Sequence, residues 1–98
     1  MKVLFIDSTH DSILTNFKEA GWKVGLHYQT SREELLGLVH TYDGIIIRSR
    51  FKLDENFLRN AKRLKFIGRP GAGLENIDLT YCKKNNINIR RKEANRKI

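Results

Sequence analysis

Five short apolar runs, each separated from the next by a helix-length amphipathic stretch, leave this chain few folds to choose from. Val3-Leu4-Phe5-Ile6 is the first run. Ile13, Leu14, Phe17 and Ala20 follow at i, i+1, i+4 and i+7, one face of a helix that Gly21 stops. Lys23-Val24-Gly25-Leu26-His27 is a weaker strand, and Ser31 with Glu34 forms a capping-box pair opening a helix that turns Leu35, Leu36 and Val39 inward. Asp43-Gly44 reads as a turn. Ile45-Ile46-Ile47 is continuous and β-branched, as a strand covered on both faces would be. Asp54 caps a third helix carrying Phe57, Leu58, Ala61 and Leu64. Phe66-Ile67 is the fourth strand, a short helix runs from Asp78 to about Asn86, and Ile87-Asn88-Ile89 is the fifth strand.

Strands alternating with helices demand a parallel sheet joined by right-handed crossovers. Five strands in this arrangement predict an α/β fold with the flavodoxin-like order 2-1-3-4-5. Ligands of such sheets bind outside the carboxyl ends of the strands. The loops to examine are therefore Asp7-Ser8-Thr9, Arg48-Ser49-Arg50-Phe51 and the stretch from Gly68 to Asn76. In the expected order strands three and four are neighbours, so the second and third of these loops meet on one edge.

Those two loops carry the chemistry. Gly68, Gly71 and Gly73 put three glycines into six residues, which lets backbone amides approach an anion without a Cβ in the way. Arg48, Ser49, Arg50 and Lys52 leave the third strand, and Arg69 leaves the fourth. Guanidinium groups gathered at one edge suit a carboxylate or phosphate, which they grip through paired charge-assisted hydrogen bonds. The bland alternatives are a solvated basic edge and a tight strand-to-helix turn. The glycines follow neither the Walker pattern nor the dinucleotide fingerprint, reading G-x-x-G-x-G after a late strand.

Bulk properties set the limits. Ninety-eight residues make one domain, expected over 1–89, followed by a basic tail at 90–98 expected to lack fixed structure. The formal charge is +8, but Arg90, Arg91, Lys92, Arg96 and Lys97 against Glu93 supply half of it from the tail. Cys82 is the one cysteine, which rules out an intramolecular disulfide and a cysteine metal cluster, and its place beside Leu79 reads as small core packing. His10, His27 and His40 show no metal spacing. Trp22, Tyr28 and Tyr42 read as packing at the sheet rim, with no platform for stacked bases. No run of ~18 apolar residues and no signal peptide is present, so a cytoplasmic protein with no membrane partner is expected.

From Ile45-Ile46-Ile47-Arg48-Ser49-Arg50 and then Leu64 through Gly68-Arg69-Pro70-Gly71-Ala72-Gly73-Leu74-Glu75-Asn76-Ile77-Asp78, the chain resembles the NAD-dependent D-2-hydroxyacid dehydrogenases, and within them the branch that oxidises 3-phosphoglycerate. The resemblance spans roughly residues 1–89. It implies the first stretch of a substrate-binding lobe in an oxidoreductase of serine biosynthesis. It also implies that Ala72 and Gly73 amides hold the substrate carboxylate, while Arg48 and Arg69, helped by Ser49 and Arg50, face its phosphate. The implied partner is a small metabolite carrying both anions.

Two departures qualify this. Pro70 lacks the N–H of the small residue the family often has there. After the fifth strand the family's Asn-Ala-Pro-Glu-Gly-Asn run is replaced by Arg90-Arg91-Lys92-Glu93-Ala94-Asn95-Arg96-Lys97-Ile98. The cofactor lobe, its glycine fingerprint and the family's catalytic Arg, Glu and His have no counterpart in this sequence. The expectation is therefore no catalytic residue, no bound cofactor and no metal in this chain, NAD belonging to the parent enzyme. Surface left uncovered by the missing lobe is expected to support self-association. Two other classes remain. A phosphorylation-receiver module shares the fold, but Arg48 stands where its acceptor Asp belongs and Asp7 alone follows the first strand. A basic nucleic-acid-binding domain would draw mainly on the tail.

Overall fold

A computed structural model describes residues 1–70 and 74–92. Its strands are β1 (Lys2–Phe5), β2 (Lys23–Leu26), β3 (Gly44–Ile46), β4 (Phe66–Pro70) and β5 (Asn88–Lys92). Its helices are α1 (Asp11–Glu19), α2 (Arg32–Leu36), α3 (Glu55–Leu58) and α4 (Leu79–Lys84). The sheet order is β2-β1-β3-β4-β5 and every pairing is parallel, as the alternation predicts. Register runs straight across: Leu26 pairs with Phe5, Phe5 with Ile46, Ile46 with Gly68 and Gly68 with Arg90. The carboxyl ends of all five strands therefore lie at nearly one level, which places their exit loops side by side.

Helix starts follow the side-chain chemistry. Ser31 and Glu34 form the expected capping box. The Asp54 carboxylate accepts from the Phe57 N–H at 3.0 Å and the Asp78 carboxylate from the Tyr81 N–H at 3.0 Å, each satisfying an orphan donor of the first turn. The helix ends differ from the periodic reading. Val39 is buried as expected, but it opens a separate one-turn 3₁₀ helix, Val39–Thr41. Regular α3 stops at Leu58, yet Ala61 and Leu64 are still buried. There the chain goes on in tighter turns, Ala61 N–H donating to Leu58 O and Leu64 N–H to Ala61 O.

The sheet's faces are covered unequally. Leu4, Ile6, Ile45, Ile47 and Ile67 point to the face packed by α2, α3 and α4, with Phe57 and Leu58 fully buried against them. Val3, Phe5, Ile46 and Phe66 point to the other face, packed by Ile13, Leu14 and Phe17 of α1 and by Trp22. A Cβ on Gly44 would stand 2.3 Å from the Phe66 ring, so the strand can approach that ring only as glycine.

Two sequence readings shift. The Asp43-Gly44 turn is instead the entry to β3, and Asp43 is buried. Its carboxylate accepts the Lys2 N–H at 2.9 Å and both its oxygens lie 3.3 Å from Arg63 Nη2. Burial alone would raise this carboxyl; the Lys2 N–H, the Arg63 guanidinium and the N-terminal charge outweigh it and hold it below the ordinary carboxylate range. The second shift is at the other end of the chain. β5 continues through Lys92, taking Arg90, Arg91 and Lys92 out of the expected tail and pairing Pro70 with Lys92. The rest of that tail, 93–98, lies outside the described residues.

Candidate functional site

The exit loops of β3 and β4 are stitched together. Ile47 N–H donates to Gly68 O at 3.0 Å, so Arg48 and Arg69 leave neighbouring strands at one level. Beyond them Leu53 and Ile77 form a parallel bridge, with Leu53 N–H donating to Asn76 O at 2.7 Å and Asp78 N–H to Leu53 O at 3.0 Å. Asn76 completes the seam. Its Nδ2 donates to Arg48 O at 3.1 Å and to Phe51 O at 3.3 Å. A side chain from the glycine loop thus fixes the backbone of the arginine loop at both ends.

The loop after β3 is also pinned from the inside. One carboxylate oxygen of Asp7 accepts the Arg48 N–H at 2.5 Å and the Arg50 N–H at 3.2 Å. Arg50 Nη1 donates to Ile6 O at 3.2 Å and His27 O at 2.8 Å, and its Nη2 donates to Thr30 O. Its guanidinium also lies 5.7 Å from the Phe51 ring centroid. The resemblance gives Arg50 a place beside the anion; in the structure its guanidinium is engaged by three carbonyls at the exits of β1 and β2.

The other candidates stand differently. Arg48 and Ser49 are exposed at the carboxyl edge, and among the described residues the Arg48 guanidinium makes one long contact, 3.4 Å to Ser8 O. Arg69 is half-buried and its Nε is enclosed without a hydrogen-bond partner among the described residues, as is Asn76 Oδ1. An enclosed guanidinium nitrogen with nothing to donate to is costly unless a ligand or water takes the bond. Neither Arg48 nor Arg69 forms an ion pair among the described residues; the salt bridges found there are Arg32–Asp54, Arg59–Glu55 and Arg63–Asp43. Ala72 and Gly73 lie outside the described residues.

Chemistry of other kinds finds little support among the described residues. No group of three His, Cys, Asp or Glu is placed to hold a metal ion. Burial and then the Asp78 charge push the Cys82 thiol up to about 11, so it stays protonated and a poor nucleophile at neutral pH. Tyr42 is buried rather than at the rim, its ring packed where a Cβ on Gly25 would fall. No helix there is long and apolar enough to cross a membrane.

Sequence reasoning did not single out Asn76 or Asp7 as site residues. An Asn directly after a glycine loop and an Asp directly after a first strand were the available signals, since both residue types bond to nearby backbone in loops.

The model of the D-isomer-specific 2-hydroxyacid dehydrogenases, catalytic domain, matches residues 3–94. The D-3-phosphoglycerate dehydrogenase of Archaeoglobus fulgidus is 36% identical over 87 residues, 89% of this chain and 16% of that protein. The human D-3-phosphoglycerate dehydrogenase is 30% identical over 86 residues, 88% of this chain and 16% of its own length. Among solved structures, the PH0520 protein of Pyrococcus horikoshii superposes with a TM-score of 0.86 at 32% identity, covering 95% of this chain and 28% of that one. The NAD+-bound 3-phosphoglycerate dehydrogenase of Entamoeba histolytica gives 0.78 at 27% identity, covering 93% and 32%. The chain thus spans about a sixth of the length of the curated relatives it matches.

Proposed function

Because this chain belongs to the D-isomer-specific 2-hydroxyacid dehydrogenase family, we propose that it supplies the substrate-holding half of such an enzyme, one oxidising 3-phosphoglycerate with NAD. The names of the Archaeoglobus and human relatives support the substrate class: each matches along most of this chain and each is a D-3-phosphoglycerate dehydrogenase. The observation that carries the reading is the seam through Asn76, which sets the exits of β3 and β4 side by side with Arg48, Ser49 and Arg69 upon them. In this reading Arg48, Ser49 and Arg69 take the phosphate, and the amides of Ala72 and Gly73 take the carboxylate. A small metabolite with two anionic ends matches two kinds of holder, side-chain cations and main-chain donors. Arg69 Nε, enclosed and unpartnered among the described residues, is a donor that such an anion would satisfy.

NAD, bound by the remainder of the parent enzyme, would accept the hydride. This chain orients the substrate by its charges and excludes water from one side of it; hydride transfer also requires an acid–base group against the substrate carbon. The isolated chain is therefore expected to bind the substrate weakly and not to turn it over. The test is twofold. Titration of the 15N-labelled chain with 3-phosphoglycerate should shift amides of 48–50, 69 and 71–76 at millimolar ligand, and no NADH should form when NAD is added. Unmoved amides in those loops, or turnover by the pure chain, would overturn the proposal.

A further inference from the structure

We infer that Arg50 is a positioning residue of the anion site: it braces the β3 exit loop so that Arg48 and Ser49 meet the anion while Arg50 itself does not. This rests on the reading above and deepens it.

The loop after β3 carries two guanidinium groups two residues apart, and the structure uses them oppositely. Arg50 spends Nη1 on Ile6 O and His27 O and Nη2 on Thr30 O, carbonyls from two neighbouring strand exits. A guanidinium spreads five donors over a rigid plane and spans all three carbonyls from two nitrogens; an ammonium offers its three donors from one nitrogen and cannot cover the same spread. Asp7 holds the same loop through its backbone, accepting the N–H groups of both Arg48 and Arg50 on one oxygen. Those amides are thereby occupied by a carboxylate of the protein itself. The β3 loop can offer an anion side chains but not these two amides, and the Asp7 charge disfavours an anion seated deeper in the loop. With the Arg50 guanidinium held by three carbonyls, Asp7 holding two amides and Asn76 Nδ2 holding Arg48 O and Phe51 O, the stretch 48–51 is fixed by three separate sets of bonds. Among the described residues the Arg48 guanidinium is left with one long contact, to Ser8 O.

The test uses the full 98-residue chain and 3-phosphoglycerate as the probe, read by amide shifts, with thermal melts of every variant. Arg50→Lys keeps the charge and loses the fan of bonds; it should weaken binding about tenfold, the scale of one or two lost charge-assisted hydrogen bonds. Arg48→Ala should weaken it similarly. The double variant Arg48→Ala/Arg50→Lys should be within about twofold of Arg48→Ala alone, because Arg50 acts through Arg48. Full affinity in Arg50→Lys, or a double variant about a hundredfold weaker, would overturn the inference and leave the anion site standing. A wild-type chain that shows no shift would instead overturn the site. Should Arg50→Lys fail to melt cooperatively, the guanidinium resonances of the wild type decide: at saturating probe those of Arg48 should move and those of Arg50 should not.

Discussion

At the amino-terminal end of the sheet a carboxylate is buried and held by a backbone amide and a guanidinium; at the carboxyl-terminal end the guanidinium groups of Arg48 and Arg69 stand without carboxylate partners among the described residues, although Arg32 there is paired with Asp54. Asp43, 2% exposed, takes the Lys2 N–H and the Arg63 guanidinium. Arg48 and Arg69 sit at the far ends of β3 and β4, and the Asp7 carboxylate is turned onto the backbone amides of Arg48 and Arg50. Charge at the first end closes a structural account. Charge at the second end is left open, which is the arrangement that suits a ligand carrying the missing negative charge. The two ends should therefore separate in experiment: variants at the first should change stability and leave binding alone, and variants at the second the reverse.

The largest effect on stability is expected from Asp43→Ala. It strands the partly buried Lys2 N–H and frees Arg63, at a cost of ~2–3 kcal/mol. For a domain of this size that lowers the melting temperature by roughly 10–20 °C. The pH dependence has a defined sign. The folded carboxyl is held below its ordinary value, so its contribution is complete above the unfolded carboxylate range and is lost as pH falls through the folded value. Wild type should thus lose stability steeply below about pH 4, and Asp43→Ala should show a shallower acid limb. Affinity for 3-phosphoglycerate should stay within twofold. A parallel fall in affinity would break the separation between the two ends.

Asn76→Ala sharpens the comparison because it sits at the ligand end yet holds structure. Removing two Nδ2 bonds should cost ~1–1.5 kcal/mol, read as a lower urea midpoint with an unchanged slope. Exchange of the Leu53 and Asp78 amides, which carry the ladder beside Asn76, should speed up by more than this loss of global stability, while that of Ile45 and Ile67 in the core strands should speed up by no more than it. Affinity should also fall by a few-fold, since the seam sets the spacing of the two loops.

The comparison also explains what could be read from the chain and what could not. Strand positions, caps and the sheet order follow from local pattern, because Ile45-Ile46-Ile47 or Ser31 with Glu34 carries its own instruction. The length of α3 does not, since Ala61 and Leu64 are buried by turns that keep the helical spacing roughly while abandoning its bonding. Asp43 beside Gly44 imitates a turn; its partners Lys2 and Arg63 stand 41 and 20 residues away, and nothing local announces them. Arg50 is the same case at the other end. A guanidinium in a strand-exit loop reads as a ligand holder, but sheet order brings the carbonyls of Ile6, His27 and Thr30 within its reach first. Residue type was legible there, and the competition among acceptors was not, because that competition is decided by tertiary neighbours.

Arg48→Ala should have the smallest effect on stability and is the sharpest probe of the open end. The residue is exposed and, among the described residues, its guanidinium makes a single 3.4 Å contact to Ser8 O, so truncation should change unfolding free energy by less than ~0.5 kcal/mol. The same change should weaken 3-phosphoglycerate binding about tenfold, and more at low salt than at high, since an exposed charge pair is screened. A melting temperature lowered as far as in Asp43→Ala would mean that Arg48 is as structurally committed as Arg63, and the distinction between the two ends of the sheet would fail.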